Sequence, residues 1–586
     1  MRKKLLLINI ILLAVIVVFS AFYFNKNRAV LTVDGAQGPV ITVSADSGEK
    51  VIYPWHNEVT GRDYFFMPAY VKEDEELLSQ ARQYNIEVMY SENIPAVFID
   101  TASGSMDYLL ENKENLESGS ISIIEAEGNL AYDGELESIS GRGNTSWEDY
   151  EKKPFSIRLT EPDTLLGMGA GRKWYLLPIW REGNKMNTKV AFDIAEALGM
   201  DFTPECTWVD LYLNGEYAGN YLLCEAISVG SGRVDIHDME KDNISLNENI
   251  EQSVTFAEAD RKGYELENGD NISGGYLIEK DLMAYYEKEA SGFILESGKP
   301  FTISEPGYAS RQQVDYISDF VQKLDTMIMN HDMEYLNYID LDSFVKRFLV
   351  DEISLNCDAN VTSMFFYKDK NNNRLYAGPV WDYDGAMGEL NNGWMEGKGV
   401  DYRGSTLQYF RSEEDILGWY SSMYQDEVFF DEMRNVYRAA LPELKWILEK
   451  KIDNYAKQIR ASVQMDAVRW QNAEKSGDYP GHYESFDNNV RYLKYYLANR
   501  LNFLNEQWDI FWKDFEVEEN KAVHEVIFKN EEEIIEVRQV EDGTCITDAP
   551  PLDEEIYWGW YYEHSEERLR DVIPVYEDIV LFARKK

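Results

Sequence analysis

The sequence predicts an α+β protein of two lobes, followed by a small β-rich module. Between residues 94 and 159, short apolar stretches alternate with polar residues, which is typical of strands. Beyond residue 310, long segments carry apolar residues at helical spacing, and from about residue 523 short alternating stretches return. Because 586 residues are too many for one core, two or three domains are expected, and a cleft between lobes is a common place for a ligand.

The N-terminus carries the pattern of a membrane anchor. Three basic residues precede an apolar run at 5–24, which at about 1.5 Å per residue spans about 30 Å, the thickness of the hydrocarbon layer. The basic cluster predicts that the N-terminus stays inside and the rest is exported. We expect residues 1–28 to be an uncleaved anchor, because the run ends in the bulky stretch FSAFYF and shows no clear small-x-small cleavage site; a cleaved signal peptide is the alternative.

The remaining elements follow from periodicity and turn residues. Residues 29–93 are expected to form a strand-rich extension, and residues 235–273, which are acidic and polar, a long surface loop. Strands are predicted at 96–100, 120–126, 136–144, 154–159 and 274–281. Helices are predicted at 184–200, 311–329, 341–355, 426–459 and 488–508.

The cysteines indicate a hairpin rather than a metal site. Cys206 and Cys224 flank a predicted hairpin that turns at Asn214-Gly215, and with a three-residue loop they would face each other. We expect two buried thiols there, and a cross-strand disulfide is the alternative. No CxxC pair is present and the six histidines are scattered, so the sequence predicts no zinc site.

The charge balance limits the classes of partner that the protein can bind. The chain has 57 Lys and Arg against 105 Asp and Glu, a formal net charge of −48. Such a surface repels nucleic acid and suits basic protein partners or divalent cations; solubility alone is the alternative explanation.

A glycine-containing stretch, GRGNTSW at 141–147, precedes KKPFSIRL at 152–159. Glycines let the backbone approach a phosphate, and Arg142, Lys152, Lys153 and Arg158 could neutralise one. Strand alternation would put Lys152 and Arg158 on one face and Lys153 on the other. An ordinary hairpin turn is the alternative.

Three acids are the strongest candidates for chemistry. Asp358 follows a predicted helix, and Asp382 and Asp384 lie between aromatics after a hairpin-like stretch. One carboxylate can accept a proton from a hydroxyl while another binds Mg²⁺, as in protein kinases. A bound cation would offset the cost of placing acids among aromatics, whereas solvated turn acids are the alternative. Five residues after Asp358 stands Ser363 where kinases have Asn, and Asn360 lies nearby.

The chain resembles the CotH kinase family, the spore-coat-type atypical protein kinases. The matching stretches are GRGNTSW with KKPFSIRL, KWYLLPIW leading to NKMNTKVAFDIA, VDLYLNGEYAGNYLLCEAI, GGYLIEKD, and DEISLNCDANVTSMFFYKD followed by GPVWDYDGAMG. They occur in the family's order over about 94–510. The resemblance implies a divergent two-lobed kinase domain at 94–515, use of ATP with Mg²⁺ or Mn²⁺, and phosphate transfer to Ser or Thr of proteins.

The resemblance also implies roles for individual residues. Asp358 would be the catalytic base and Asp382 a metal ligand, with Asp384 and Asn360 as further ligands. The candidates for binding the nucleotide are Arg142, Lys153, Asn144, Arg158, Glu225 and Glu279, the two glutamates by ordering a cation or as structural residues. The chain departs from the family at Asn187-Thr188, where an Arg-Asn pair is common, and Ser363 leaves the second metal ligand open.

The tail at 520–586 resembles an InlB-type B repeat of bacterial surface proteins. The likeness lies in EDGTCITDAPP, YWGWYY and VYEDIVLFARKK. It implies a β-grasp-like surface module for adhesion or spacing.

Three functions are compatible with these observations. The first is a kinase held at the membrane with its main domain outside the cytoplasm, at the cell surface or spore coat, acting on basic, Ser/Thr-rich proteins. The second is a non-catalytic surface or coat scaffold, which the serine at 363 and the adhesion-like tail favour. The third is a metal-dependent phosphoester hydrolase, against which the lack of histidines near the acids counts.

Overall fold

A computed structural model describes residues 29–586 except 35–37, 46–47, 59, 389–400, 408–414, 471–485, 514, 516–522, 531–532, 542–543, 547–548, 554–555, 563–572 and 576–578. The predicted anchor at residues 1–28 lies outside these residues. Within the described part of the chain, none of the helices has both the length and the hydropathy needed to cross a bilayer.

The chain divides into two compact units of mixed α and β structure, which confirms the α+β class. Unit 1 comprises 1–180, 206–226 and 457–473, and unit 2 comprises 181–205, 227–456 and 474–586.

Unit 1 contains thirteen of the described strands, three short helices and, from residue 457 on, part of a longer helix that is given with unit 2. Its strands are β1 (Ala29–Asp34), β2 (Gly38–Ala45), β3 (Gly48–Ile52), β4 (Trp55–Asn57), β5 (Arg62–Met67), β6 (Ile86–Tyr90), β7 (Ala96–Thr101), β8 (Leu116–Ile124), β9 (Leu130–Gly141), β10 (Phe155–Asp163), β11 (Gly171–Leu177), β12 (Cys206–Leu213) and β13 (Glu216–Glu225). Its helices are α1 (Glu75–Gln83), α2 (Asp107–Glu111) and α3 (Thr145–Asp149). Residues 29–93 contain strands β1 to β6, and helix α1 is an element that the prediction of a strand-rich extension did not include.

Seven strands of unit 1 close into a barrel in the order β10-β11-β13-β12-β7-β8-β9. Alternate residues of each strand fill its interior, as Phe155, Ile157 and Leu159 of β10 do. The predicted strands at 96–100, 120–126, 136–144 and 154–159 fall within or overlap β7 to β10 and are confirmed.

The hairpin β12–β13 confirms the predicted turn. Asn214 and Gly215 both have positive φ, 50° and 83°, as a type I′ turn requires. Cys206 lies opposite Cys224, and both are buried thiols rather than a disulfide. The turn has two residues, and a register shift after Leu211 supplies the extra residue that brings the cysteines opposite each other.

A buried polar cluster lies on the outer face of β12 and β13. Ser462 Oγ and Tyr217 Oη both donate to Asp210 Oδ1, at 2.6 and 2.9 Å. Asp210 is fully buried, and its Oδ2 has no hydrogen-bond partner among the described residues. Burial, with the charge of Asp466 acting in the same sense, raises the pKa of the Asp210 carboxyl from 3.8 to about 6, although its hydrogen bonds oppose the shift.

Asp210→Asn is therefore expected to remove a pH dependence of stability. Between about pH 4 and 6 the folded state keeps a proton on Asp210 that the unfolded state has lost. The stability that this difference in protonation provides is fully present below about pH 4 and is lost as the pH rises through 6. Relative to wild type, the free energy of unfolding of the asparagine variant should therefore rise by about 2–3 kcal/mol between pH 4 and pH 7. Thermal unfolding of both proteins across that range measures the difference, and a difference that does not change with pH would contradict the prediction.

Unit 2 contains the other described strands and most of the helices. Its strands are β14 (Thr255–Ala257), β15 (Arg261–Tyr264), β16 (Tyr276–Lys280), β17 (Gly292–Ile294), β18 (Pro300–Glu305), β19 (Met364–Lys368), β20 (Tyr376–Ala377), β21 (Val523–Lys529), β22 (Ile534–Glu541), β23 (Thr544–Ile546), β24 (Tyr557–Tyr562), β25 (Ile573–Val575) and β26 (Ile579–Lys585). The helices are α4 (Asn187–Ala197), α5 (Met239–Leu246), α6 (Met283–Tyr286), α7 (Arg311–Met329), α8 (Leu341–Ser354), α9 (Trp419–Met423), α10 (Glu427–Trp446), α11 (Ile452–Arg469) and α12 (Phe486–Gln507), of which α11 from residue 457 belongs to unit 1.

An antiparallel sheet of seven strands forms the centre of unit 2, in the order β14-β15-β17-β18-β16-β19-β20. Phe301, Phe344, Phe366 and Trp419 pack together there, with ring centroids 5.4–6.3 Å apart. This aromatic core supports β19 and helix α8, the two elements on either side of the loop that carries Asp358.

The helix predictions for unit 2 are confirmed, and the loop prediction is wrong. Helix α7 spans the predicted 311–329 and begins at a capping box formed by Ser310 and Gln313. Residues 235–273 contain α5, a short 3₁₀ turn and strands β14 and β15, and so are more than a surface loop. Asp238 caps α5 by accepting from the Lys241 N–H, so local capping sustains a helix with few apolar residues.

The tail is β-rich, as predicted. Strands β22, β21, β26 and β24 form one sheet in that order, with β21 and β26 parallel. Phe528, Trp560 and Leu581 are buried in its own apolar cluster. The likeness to a B repeat stays a prediction.

Candidate active site

The turn at 381–384 is anchored by its central tyrosine. Tyr383 is fully buried, and its hydroxyl donates to Asp351 Oδ1 at 2.6 Å. Arg347, only 1 % exposed, donates to Asp351 Oδ2 at 2.9 Å and to the Pro379 carbonyl at 3.2 Å. This network under the turn holds Tyr383 in place and leaves Asp382 and Asp384, on either side of it, half-buried. The tyrosine between the two acids therefore fixes the backbone that carries the carboxylates.

The loop of Asp358 and the turn of Asp382 are hydrogen-bonded to each other. Asn356 Nδ2 donates to the Asp382 carbonyl at 3.1 Å, and Ser363 Oγ donates to Asp382 Oδ2 at 3.2 Å. Asn356 also accepts from the Asp358 N–H at 3.2 Å. The structure thus brings together the loop and the turn that carry these predicted acids, and Ser363, at the place of the expected asparagine, contacts the predicted metal ligand directly.

The end of β16 fixes the second half of the same loop. Lys280 is fully buried, and its ammonium donates to the carbonyls of Val361 and Asp415, at 2.5 and 2.6 Å. The adjacent Asp281 accepts from Thr362 Oγ1 at 2.5 Å, and burial raises the pKa of its carboxyl. The sequence predicts a strand at 274–281, but no local pattern indicates that these two residues support the loop.

Backbone strain is concentrated in and next to the Asp358 loop and the Asp382 turn. Leu355, Asn360, Ser363, Asp382 and Met387 all have positive φ, between 48° and 67°. Asn and Asp tolerate this region, whereas for the other three it costs about 1 kcal/mol each. Such strain persists only where the surroundings enforce it, and it is frequent at functional sites.

Asn360 presents an unsatisfied oxygen. Its Nδ2 donates to the Thr406 carbonyl at 3.2 Å, while its buried Oδ1 has no hydrogen-bond partner among the described residues. Within that same part of the chain, no three His, Cys, Asp or Glu side chains are grouped so that they could hold a metal ion by themselves. Mg²⁺ is normally held by one or two carboxylates together with phosphate oxygens and water, so these oxygen donors fit a cation that arrives with a nucleotide.

Glu182 is a buried acid that no sequence pattern singles out. Thr188 Oγ1 donates to its Oε1 at 2.6 Å, and Oε2 has no partner among the described residues. Burial, with the charge of Asp384 acting in the same sense, raises the pKa of the Glu182 carboxyl to about 7, against the Thr188 bonds and Lys185. Asn187 donates to the Ala386 carbonyl at 3.1 Å, so Asn187-Thr188, where the family has its Arg-Asn pair, contacts both Glu182 and the acidic turn.

In unit 1, the glycine stretch is packed by its own side chains. A Cβ at Gly141 would lie 2.5 Å from the Trp147 ring, and Gly143 has a φ of 82°. Lys153 donates to the Trp147 carbonyl at 2.6 Å, and desolvation lowers the pKa of its ammonium. The Arg142 guanidinium lies 4.2 Å from the Tyr175 ring centroid. Local packing therefore explains the two glycines.

The other predicted residues lie in several environments. Asn144 accepts from Lys113 at 3.2 Å, beside Arg142, whereas Arg158 pairs with exposed Glu137 at 3.4 Å. Glu225 is buried at the end of β13 and Glu279 is half-buried in β16.

Lys152 is a structural cation. It is fully buried and donates to Asp466 Oδ1 at 2.6 Å and to the Asn220 carbonyl at 2.5 Å. The predicted alternation applies only from Phe155, where β10 begins, so Lys152 and Lys153 lie outside the strand. Arg142, Asn144, Lys153, Arg158 and Glu225 belong to unit 1 and the acids to unit 2, so their meeting at one nucleotide stays a prediction.

Comparison with protein families identifies the family of the chain. A family model described as CotH kinase protein matches residues 139–504, more than half of the chain. A search of curated proteins finds none that matches.

Proposed function

Because the chain belongs to the CotH kinase family, we propose that it is an atypical protein kinase that transfers the γ-phosphate of ATP to Ser or Thr of exported or coat proteins. The observation that carries the proposal is the direct hydrogen bonding between the Asp358 loop and the Asp382 turn. This contact puts a candidate base and a candidate cation ligand in neighbouring segments, as phosphoryl transfer requires.

In the proposed reaction Asp358 accepts the proton of the substrate hydroxyl. The hydroxyl oxygen bonds to the γ-phosphorus while the bond from that phosphorus to the bridging oxygen of ADP breaks, and ADP leaves. Asp382 and Asp384, with Asn360 Oδ1, would hold Mg²⁺ or Mn²⁺, which supplies positive charge for the phosphate oxygens when bound. Ser363 positions the Asp382 carboxylate through its hydrogen bond at 3.2 Å.

The basic loop of unit 1 is proposed to contact the phosphates. Arg142 and Lys153 are the main candidates, with Asn144 beside them. Arg158 would have to leave its exposed pair with Glu137, which contributes little to stability. Glu225 and Glu279 would either hold a cation in position or stabilise the fold.

The proposal extends to architecture and location. We propose that residues 94–515 form a divergent kinase domain with a strand-rich and a helix-rich lobe, and that residues 520–586 form a β-grasp-like surface module. Residues 1–28 would hold the protein at the membrane with its main domain outside the cytoplasm, at the cell surface or spore coat. The net charge of −48 favours basic substrates rich in Ser or Thr.

A second candidate function is a non-catalytic coat or surface scaffold. The observation that favours it is Ser363, which provides a hydroxyl where kinases use an asparagine to bind a second metal ion. A protein of this kind would bind nucleotide without transferring phosphate.

The test is a transfer assay with the full chain in mild detergent. The protein is incubated with γ-labelled ATP, Mg²⁺ or Mn²⁺, and basic peptides rich in Ser and Thr. We expect cation-dependent labelling of the peptides or of the protein itself. Nucleotide binding without labelling would support the scaffold instead, and release of free phosphate without labelled protein would indicate a hydrolase.

A further inference from the structure

We propose that Glu352 and Arg500 are positioning residues for the Asp358 loop, which they fix by holding the segment 401–407 against Asn360. Glu352 lies on helix α8 and Arg500 on helix α12, and both belong to unit 2 together with the segment and the loop. The inference rests on the proposed function for the catalytic role of Asp358. It gives a role in the reaction to two buried charges that lie outside the loop and the acidic turn.

The first argument is the set of hydrogen bonds made by Arg500, whose side chain is fully buried. Its Nη1 donates to the carbonyls of Tyr402 and Gly404, at 2.8 and 2.6 Å. Its Nε and Nη2 donate to the Glu352 carbonyl at 3.0 and 2.6 Å, in the last turn of α8, where carbonyls lack partners within the helix. The guanidinium therefore joins the segment 401–407 to the end of the helix that leads into the Asp358 loop.

The second argument is that the Glu352 carboxylate binds the same segment. Its Oε2 accepts from the N–H and from the hydroxyl of Thr406, at 2.8 and 2.5 Å, and both residues are buried. Its Oε1 lies 3.1 Å from Arg500 Nη2. One carboxylate oxygen thus faces the guanidinium, while the other is directed at the segment.

The third argument is that Thr406 in turn contacts the Asp358 loop. The Thr406 carbonyl accepts from Asn360 Nδ2 at 3.2 Å. The carbonyl of Asn360 accepts from the Leu417 N–H at 2.7 Å, so the residue is held through its side chain and its backbone. Asn360 has a φ of 66°, a conformation that persists where the surroundings enforce it.

Asn360 lies inside the turn that Asp358 begins. The N–H groups of Val361 and Thr362 donate to the Asp358 carbonyl, at 3.0 and 3.2 Å. These bonds close a tight turn around Asn360, so a displacement of Asn360 also moves the backbone that carries the candidate base. A shift of about 1 Å in a reacting group is enough to slow a reaction strongly.

An ion pair that only joins helices α8 and α12 explains part of this geometry. Such a pair needs the contact between Glu352 Oε1 and Arg500 Nη2 alone. The bonds to Tyr402, Gly404 and Thr406 are additional, and all of them end on the segment. Removing the Thr406 hydroxyl separates the two roles, because it leaves the ion pair between the helices intact.

The experiment measures hydrogen–deuterium exchange by mass spectrometry, with the full chain in mild detergent and no nucleotide. Thr406→Val keeps the shape of the side chain and removes its hydroxyl. We expect the amides of Val361 and Thr362 to exchange at least about tenfold faster in this variant than in wild type. Thr406→Ser keeps the hydroxyl and should leave their exchange within about twofold of wild type.

The matched control is Tyr437→Phe. Tyr437 is fully buried, and its hydroxyl donates at 3.3 Å to the carbonyl of Leu501, the residue after Arg500 on α12. This variant removes a buried hydroxyl that bonds to the same helix, but it leaves the segment 401–407 unchanged. Exchange at Val361 and Thr362 should therefore stay within about twofold of wild type.

The same variants give a kinetic test. Thr406→Val should lower kcat for phosphate transfer about tenfold and leave KM for ATP within about twofold, because the base is displaced and the nucleotide is not. Thr406→Ser should keep the wild-type kcat. Faster exchange with an unchanged kcat would show that the segment only stabilises the fold, and would overturn the positioning role.

Wild-type exchange in Thr406→Val, or equally fast exchange in Tyr437→Phe, would also overturn the inference. If Thr406→Val does not fold, Thr406→Ala removes the same hydroxyl and should speed the exchange as well. Because the exchange measurement contains no ATP, its failure is distinct from an absence of phosphate transfer by the wild-type protein, which would count against the proposed function alone.

Discussion

Asp382→Asn is expected to lower the rate of protein phosphorylation by about 10³-fold, because it removes a negative ligand from the cation that stabilises the transferring phosphate. Asparagine is a sharper choice than alanine here. Asp382 has a φ of 67°, a conformation that asparagine tolerates and alanine does not. The amide can also accept the hydrogen bond from Ser363. The rate of label transfer from ATP, measured at saturating Mn²⁺, gives the effect.

The control for this variant is Asp342→Asn. Asp342 is an exposed acid of helix α8 in the same unit, paired with Lys346 at 2.5 Å, and its loss should leave the rate within twofold of wild type. Asp382→Ala should lose the same activity. It should also lose some stability, because alanine does not tolerate the positive φ at this position. Normal labelling by well-folded Asp382→Asn protein would refute the assigned role.

Arg347→Met is expected to destabilise unit 2 by about 3–5 kcal/mol. The methionine fills much of the same space but leaves Asp351, which is 2 % exposed, as a buried charge with only the Tyr383 hydroxyl as partner among the contacts described above. The loss should appear as a lower urea midpoint of the unfolding transition. Since Asp351 also holds Tyr383, the variant should weaken nucleotide binding at the turn as well.

The double variant Arg347→Met/Asp351→Leu distinguishes an unpaired charge from a loss of packing. Replacing both partners by apolar side chains removes the buried charge, so the double variant should recover a large part of the stability. An Arg347→Met protein within about 0.5 kcal/mol of wild type would contradict the importance of this network.

The sequence predicts best the elements that local patterns determine. Helix α7 begins and ends where its apolar spacing indicates, and Ser310 with Gln313 marks its start. The turn at Asn214-Gly215 was recognisable because these residues favour positive φ. Local chemistry decides both features, so no knowledge of distant residues is needed.

The parts that were missed depend on distant contacts. Lys152 resembles a phosphate-binding cation until Asp466, 314 residues later, accepts its hydrogen bond. Glu182 stands in a polar stretch typical of a turn, and only tertiary packing buries it. The loop of Asp358 could be suspected from its residues, but the contact between Ser363 and Asp382 follows from the folded sheet. Sequence patterns indicate which residues have reactive side chains, whereas tertiary packing determines which of those side chains contact each other.

The most direct test of the central claim is the binding of ATP to the wild-type protein and to Asp382→Asn, by calorimetry with Mn²⁺ and with EDTA. The account predicts that wild type binds ATP with Mn²⁺ present, that EDTA weakens this binding at least tenfold, and that Asp382→Asn binds weakly under both conditions. Equal binding by both proteins, unaffected by EDTA, would contradict it.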